Sequence, residues 1–175
     1  MLAKSADKVK ESSINKVKYW YASRKIDGVR CSFYYKDGEI LSASRGGGNY
    51  DYSTSHIRNN ERLLEFFRSH PTYILDGELY RHGKSLQQIS GAARLEKNAV
   101  DCDWLEYYVY DIMIPSMKFS DRLEILKQLQ KELNLGFNPD KDWEEGELQL
   151  QIVPQEKVSG YENIMKLHNQ YVSEG

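Results

Sequence analysis

Apolar and polar residues alternate over Val29, Cys31, Phe33 and Tyr35, and this period of two predicts a half-buried strand. Asp37-Gly38 follows, a pair suited to a tight hairpin turn because both residues accept positive φ, and Glu39 to Ser44 reads as the returning strand. From Ser44 to Tyr52 the chain reads SRGGGNYDY. Three consecutive glycines disfavour an element interior and predict a flexible surface loop, or one that another backbone approaches closely. Helical spacing returns from His56 to Arg68, with Ile57, Leu63, Leu64, Phe66 and Phe67 on one side and Pro71 as the stop. Tyr73 to Tyr80 alternates as a strand, Leu86 to Leu95 reads as a helix, and Leu105 to Met113 (LEYYVYDIM) reads as an aromatic strand. Ser120 is the expected N-cap of a further helix, with a stripe of Leu123, Leu126, Leu129 and Leu133 and an end near Gly136. The polar stretch NPDKDWEEGE predicts a surface loop, and Leu148, Leu150 and Ile152 a strand running into Pro154. Tyr161, Ile164, Met165, His168, Tyr171 and Val172 share a helical spacing, with His168 expected to pack and Gly175 to stop the helix. Strands and helices interleave without an internal repeat. The pattern predicts one α+β domain, mainly antiparallel sheets flanked by helices.

Length and charge narrow the classes of function. At 175 residues the chain can bury a real core, and no apolar run is long enough to span a bilayer. The start MLAKSADKVK lacks the apolar centre of a secretory signal, so an intracellular, cytoplasmic protein is expected. With 24 Lys and Arg against 26 Asp and Glu, no global basic charge advertises a nucleic acid, and any such partner must be argued from local sites. Cys31 and Cys102 fit neither a disulfide framework nor a metal spacing and are expected as reduced thiols near the core.

The densest chemistry lies in RKIDGVR, Arg24 to Arg30, where the chain passes from a loop into the first strand. Neighbouring cations favour the free amine of Lys25, the form that attacks an electrophile, whereas Asp27 favours the ammonium. Taken alone, the stretch is equally a solvated strand end with an Asp-Gly turn. The GKS of RHGKS does not complete a phosphate-binding loop, because that motif wants a glycine at position 78, where Glu78 stands.

In order along the chain stand K-x-D-G-x-R at Lys25, Asp27, Gly28 and Arg30, then Ser44-Arg45, then LDGEL at Leu75 to Leu79, then YYVYDIM at Tyr107 to Met113. This series resembles the motifs of the covalent nucleotidyltransferases, and its spelling is most similar to that of ATP-dependent DNA ligases of bacterial or bacteriophage type. The opening MLAK resembles the segment that precedes the first motif in such ligases. The resemblance implies an ATP-grasp-like adenylation domain with ATP and Mg²⁺ as cofactors, nicked duplex DNA as partner, a monomeric state, and roles in DNA replication, repair and recombination. It implies that Lys25 is the nucleophile that becomes lysyl-AMP. It further implies that Arg30 and Arg45 contact ribose and phosphate groups, that Glu78 takes a ribose hydroxyl or helps place the metal, that Tyr110 stacks on the purine, and that Ser23 faces the base edge. Asp27, Gly28, Asp76 and Asp111 receive supporting roles.

Two later motifs of the family are an E-G-hydrophobic segment, which Glu174-Gly175 begins or just precedes, and a Lys-x-Lys pair, which is absent. The expectation is therefore an incomplete adenylation domain over residues 1–175, truncated at its C-terminal end and without the OB-fold domain that commonly follows. RNA ligases and mRNA guanylyltransferases of the same superfamily, and a nucleotide- or DNA-binding fragment without turnover, are the alternatives.

Overall fold

The computed structural model describes residues 9–97 and 102–174. In chain order its elements are α1 (Glu11–Ile14), β1 (Trp20–Ala22), β2 (Val29–Lys36), β3 (Glu39–Ser44), α2 (Ser55–Arg58), α3 (Glu61–Ser69), β4 (Ile74–Tyr80), α4 (Leu86–Ala93), β5 (Glu106–Met113), α5 (Phe119–Glu132), β6 (Leu150–Ile152), β7 (Glu156–Val158) and α6 (Tyr161–Ser173). They form two compact units: the chain through Lys25 together with the stretch from Pro154, and Ile26–Val153. The MLAK segment and the expected stop at Gly175 lie outside the described residues.

The larger unit holds a five-stranded sheet in the order β3-β2-β4-β5-β6. The β2–β3 hairpin turns at Asp37 (φ 52°) and Gly38 (φ 92°), as the Asp-Gly pair predicts. Cys31, Phe33, Leu75, Leu79, Tyr107, Val109 and Ile112 are buried and share one core with Ile57, Leu63 and Phe67 of α2 and α3, Ile89 and Ala93 of α4, and Leu126 and Leu129 of α5. Each fully buried aliphatic or Phe side chain contributes about 1.5–3 kcal/mol. The opposite face of the sheet carries the polar side chains of Arg30, Ser32, Asp76 and Glu78.

Local departures from the sequence pattern have physical causes. The expected helix over His56 to Arg68 is two helices, because the Asn60 side chain accepts from the amides of Arg62 (3.1 Å) and Leu63 (3.4 Å) and starts α3 afresh. The N-cap of α5 is Lys118 rather than Ser120, and the helix ends at Glu132, with Asn134 in the left-handed region (φ 49°) before Gly136. Strand β6 runs parallel to β5, so the sheet is not wholly antiparallel; the chain leaves β5, passes through α5 and returns in the same direction. All three residues of β6 are buried, Gln151 included, because its amide donates to Glu106 (2.9 Å), the Tyr108 hydroxyl (3.1 Å) and the Asn138 carbonyl (3.0 Å). The glycine loop is exposed yet closed rather than slack: the Ser44 and Gly48 backbones bond at 2.7 Å, and Gly48 N–H also donates to the Ser44 hydroxyl at 2.7 Å.

In the smaller unit β1 and β7 pair antiparallel, Tyr21 opposite Lys157, and the Asn15 side chain accepts from Tyr161 N–H at 2.8 Å. These strands are three residues each, too short to show a period. Helix α6 contains no fully buried residue, and His168 is exposed rather than packed. No helix among the described residues is long and apolar enough to cross a membrane.

The cysteines meet their expectation: Cys31 and Cys102 are buried free thiols, and burial pushes the Cys31 thiol far up. His56 donates from Nε2 to the Leu105 carbonyl at 2.8 Å, and burial holds its pKa below the usual 6.5, against the opposing pull of that bond and of Asp103. The native ring is neutral and the unfolded ring takes a proton first, so stability falls as pH drops through about 6.5. The urea midpoint is expected to fall less between pH 7.5 and 5.5 in His56→Gln than in the parent; an equal fall contradicts this reading.

Candidate active site

The antiparallel pairing of β2 with β4 sets Arg30 opposite Glu78 and Ser32 opposite Asp76. The strand period places these residues on the face away from the core residues Cys31, Phe33, Leu75 and Leu79. Arg30 reaches diagonally to Asp76, with Nε to Oδ1 at 2.9 Å and Nη2 to Oδ2 at 2.5 Å. Asp76 is 4 % exposed while the Arg30 side chain keeps 35 % exposure, so a buried carboxylate holds a partly exposed cation. The hydrogen bond to Asp76, with the charges of Asp76 and Glu78 in support, raises the Arg30 pKa above its ordinary value.

Tyr110 arrives by an irregularity. Between Asp76 and Gly77 the β4–β5 register shifts, so that Gly77 faces Val109 and Asp76 faces Asp111, with Tyr110 as the extra residue. A bulge of this kind changes the phase of the strand, and here it sets Asp111 next to Tyr110 on the polar face, with Tyr110 beside Arg30, Asp76 and Glu78. Burial first, and then the carboxylates of Asp76 and Glu78, push the phenol pKa well up, with Arg30 opposing. A neutral, half-buried ring results.

Gly28 brings the incoming loop against this cluster. A Cβ there would overlap the Leu79 carbonyl and stand 2.9 Å from Glu78 Cγ, so only glycine permits the approach. Asp27, just before it, is exposed. Asp111 is held by Arg122 through two bonds, Nε to Oδ1 at 2.9 Å and Nη2 to Oδ2 at 2.8 Å. Arg45 is exposed and follows Ser44, which pairs with Cys31, so it emerges at the same end of the hairpin as Arg30. Behind it, Arg58 anchors the loop's return by donating to the carbonyls of Ile40 and Asp51.

The structure thus brings together Arg30, Asp76, Glu78 and Tyr110, with Gly28 alongside. Ser23, half-buried, and Lys25, exposed, belong to the smaller unit. In that unit Arg24 forms an ion pair with Glu174, so its charge is answered there rather than acting undiluted on its neighbour Lys25. Glu174, expected at or near a metal-holding motif, also accepts from Gln170 Nε2 at 2.9 Å.

A forked cation, a carboxylate and an aromatic face in one cluster suit a ligand with phosphate, ribose and a flat base. The sequence model of the ATP dependent DNA ligase domain family matches residues 1–175. The chain belongs to that family. The DNA ligase of African swine fever virus (isolate Pig/Kenya/KEN-50/1950) is 29% identical over 153 residues, which are 87% of this chain and 33% of that protein. The chain therefore spans about a third of the length of the curated relatives it matches. Among solved structures, one described as Pmar-Lig_Pre. superposes with a TM-score of 0.72 at 16% identity, over 94% of this chain and 38% of that one. The Chlorella virus DNA ligase-adenylate does so with a TM-score of 0.58 at 21% identity, over 89% and 50%. These superpositions show the fold: the α+β nucleotidyltransferase architecture of ATP-dependent DNA ligases.

Two features of this ligase domain escape sequence reasoning. One is Arg122, whose only sequence signal is a cation in the first turn of a helix, where the dipole disfavours it. The other is Glu106, fully buried on the polar face, ion-paired with Arg81 and accepting from the Tyr108 hydroxyl at 2.8 Å. Tyr108 lies directly across from Glu78, so this network closes the sheet on one side of the cluster. Among the described residues no three His, Cys, Asp or Glu gather as a metal cage. Magnesium needs none, since it keeps several waters and binds through one or two carboxylates plus substrate phosphates. Glu78, opposite Arg30 in the same cluster, is a carboxylate that would suit such an ion.

Proposed function

We propose that this chain captures AMP from ATP on Lys25 and passes it to the 5′-phosphate of a nick in duplex DNA, as part of an adenylation domain. The observation that carries the reading is the convergence of Arg30, Asp76, Glu78 and Tyr110 on one sheet face, with Gly28 alongside, in a chain of the ligase family. In the first step the unprotonated Lys25 amine attacks the α-phosphorus: a P–N bond forms, the P–O bond to pyrophosphate breaks, and the amine gives up a proton. The barrier is one of in-line alignment at a highly anionic centre. Arg30, held by Asp76, presents a fixed cation to ribose and phosphate oxygens, and Arg45 is a second, loop-borne cation for phosphate, including the DNA 5′-phosphate. Glu78 accepts from a ribose hydroxyl or holds Mg²⁺, Tyr110 offers its face to the purine, and Ser23 faces the base edge. Bound Mg²⁺ supplies charge neutralisation on the phosphates.

The test is a comparison of nick sealing on all-DNA and all-RNA duplexes, each with ATP or GTP. Sealing of DNA with ATP, exceeding the other three combinations by at least about tenfold, is expected, a margin of only about 1.4 kcal/mol. Preference for RNA or for GTP reassigns the chain to another branch of the superfamily.

A further inference from the structure

Two carboxylates face each other across the β4–β5 pair at the bulge, Asp76 and Asp111. Like charges directly opposite in a sheet repel. Each has its own arginine, Arg30 for Asp76 and Arg122 for Asp111, both by a two-point fork. Arg122 also donates from Nη1 to the Met117 carbonyl at 2.7 Å, so two of its contacts tie the start of α5 to the strand that carries Tyr110 and a third holds the connection between them. The pair is half-buried, 20% and 21% exposed, where charges are screened less than at the surface. Arg122 accepts a poor position for a cation, the first turn of a helix, to make these contacts. A bare Asp111, directly across from Asp76, would compete with it for the guanidinium that Asp76 holds, that of Arg30.

We propose that Arg122 is a positioning residue for the nucleotide site: by occupying Asp111 it leaves Arg30 wholly to Asp76 and fixes the bulge that sets Tyr110 and Asp111 side by side on the polar face. The nucleotide part rests on the function proposed above; the clamp itself does not.

The experiment compares the parent with R122Q, D111N and the double variant D111N/R122Q. It reads the ¹⁵N–¹H signal of Arg30 Nε, assigned with Arg30→Lys, and the KM for ATP and maximal rate of adduct formation. R122Q is expected to move the Arg30 signal and to raise the KM about tenfold, with a smaller change in maximal rate, in keeping with the loss of charged hydrogen bonds. Removing the carboxylate as well is expected to return both readouts to within about twofold of the parent. An unmoved Arg30 signal in R122Q, or a double variant as impaired as R122Q, overturns the proposal and leaves Arg122 as an anchor of α5. Should R122Q fail to fold, R122K asks the same question, because a point charge cannot hold both oxygens; an intermediate shift of the Arg30 signal supports the clamp, and none overturns it. If no protein in the series, parent included, forms an adduct, while the Arg30 signal moves in R122Q and returns in the double variant, the clamp stands and the proposed function falls.

Discussion

Replacing Lys25 with alanine is expected to lower the rate of protein labelling from α-³²P-ATP and Mg²⁺ by at least about 10⁴-fold, the order seen when a nucleophile is removed from a catalytic unit. Arg24, one residue before, supplies no equivalent amine: its guanidinium has no free pair to offer phosphorus and is engaged by Glu174. Lys25→Arg is expected to fail equally, since a guanidinium keeps its proton and has no free pair to offer phosphorus. Lys25 is exposed, so the thermal midpoint is expected to stay within about 2 °C of the parent, as for surface changes worth about 0.5 kcal/mol or less. Labelling of the alanine variant at the parental rate would place the nucleophile elsewhere and undo the proposed chemistry.

The largest stability effect is expected at a glycine with no chemical role. Gly77, the glycine of LDGEL, lies opposite Cys31 on β2 and Val109 on β5. The ring of Tyr107 covers it, fully buried and stacked on Phe33 at 4.1 Å, with its hydroxyl reaching the carbonyls of Leu75 (2.9 Å) and Cys31 (3.0 Å). A Cβ at position 77 would overlap the Tyr108 carbonyl and stand 2.8 Å from the Tyr107 ring. One obstacle is backbone in a central strand and the other is a ring pinned by stacking and hydrogen bonds, so neither yields cheaply. Overpacking of this kind costs about 1–3 kcal/mol and more where backbone must move. Gly77→Ala is expected to lose about 3 kcal/mol, or roughly 6–12 °C of thermal midpoint. A midpoint within about 2 °C of the parent contradicts the packing described. The same shift disturbs the bulge at Tyr110, so nucleotide capture is expected to weaken in whatever fraction folds.

The β2–β3 hairpin was legible because alternation and Asp37-Gly38 agree on one register, which sets Arg30 on the polar side of β2, and the alternation of β4 does the same for Glu78. The ordered motifs from Lys25 to Tyr110 carried the family. Hidden from the sequence was the bulge: YYVYDIM is apolar or aromatic almost throughout, so its alternation cannot reveal an extra residue at Tyr110. The Arg30–Asp76 and Arg122–Asp111 forks join residues 46 and 11 positions apart, and no local period reports such pairs. The break at Asn59-Asn60 was invisible because the apolar phase resumes after it. The interior place of Gln151 is equally non-local: its amide is satisfied by Glu106, Tyr108 and the Asn138 carbonyl, partners 13 to 45 positions away.

The most direct measurement is the intact mass of this 175-residue protein after incubation with Mg²⁺ and either ATP or GTP. A gain of one AMP with ATP, none with GTP, lost on mild acid treatment as a phosphoramidate should be and absent in Lys25→Ala, is the result predicted. An unmodified mass with ATP, or a GMP-sized gain with GTP alone, contradicts it.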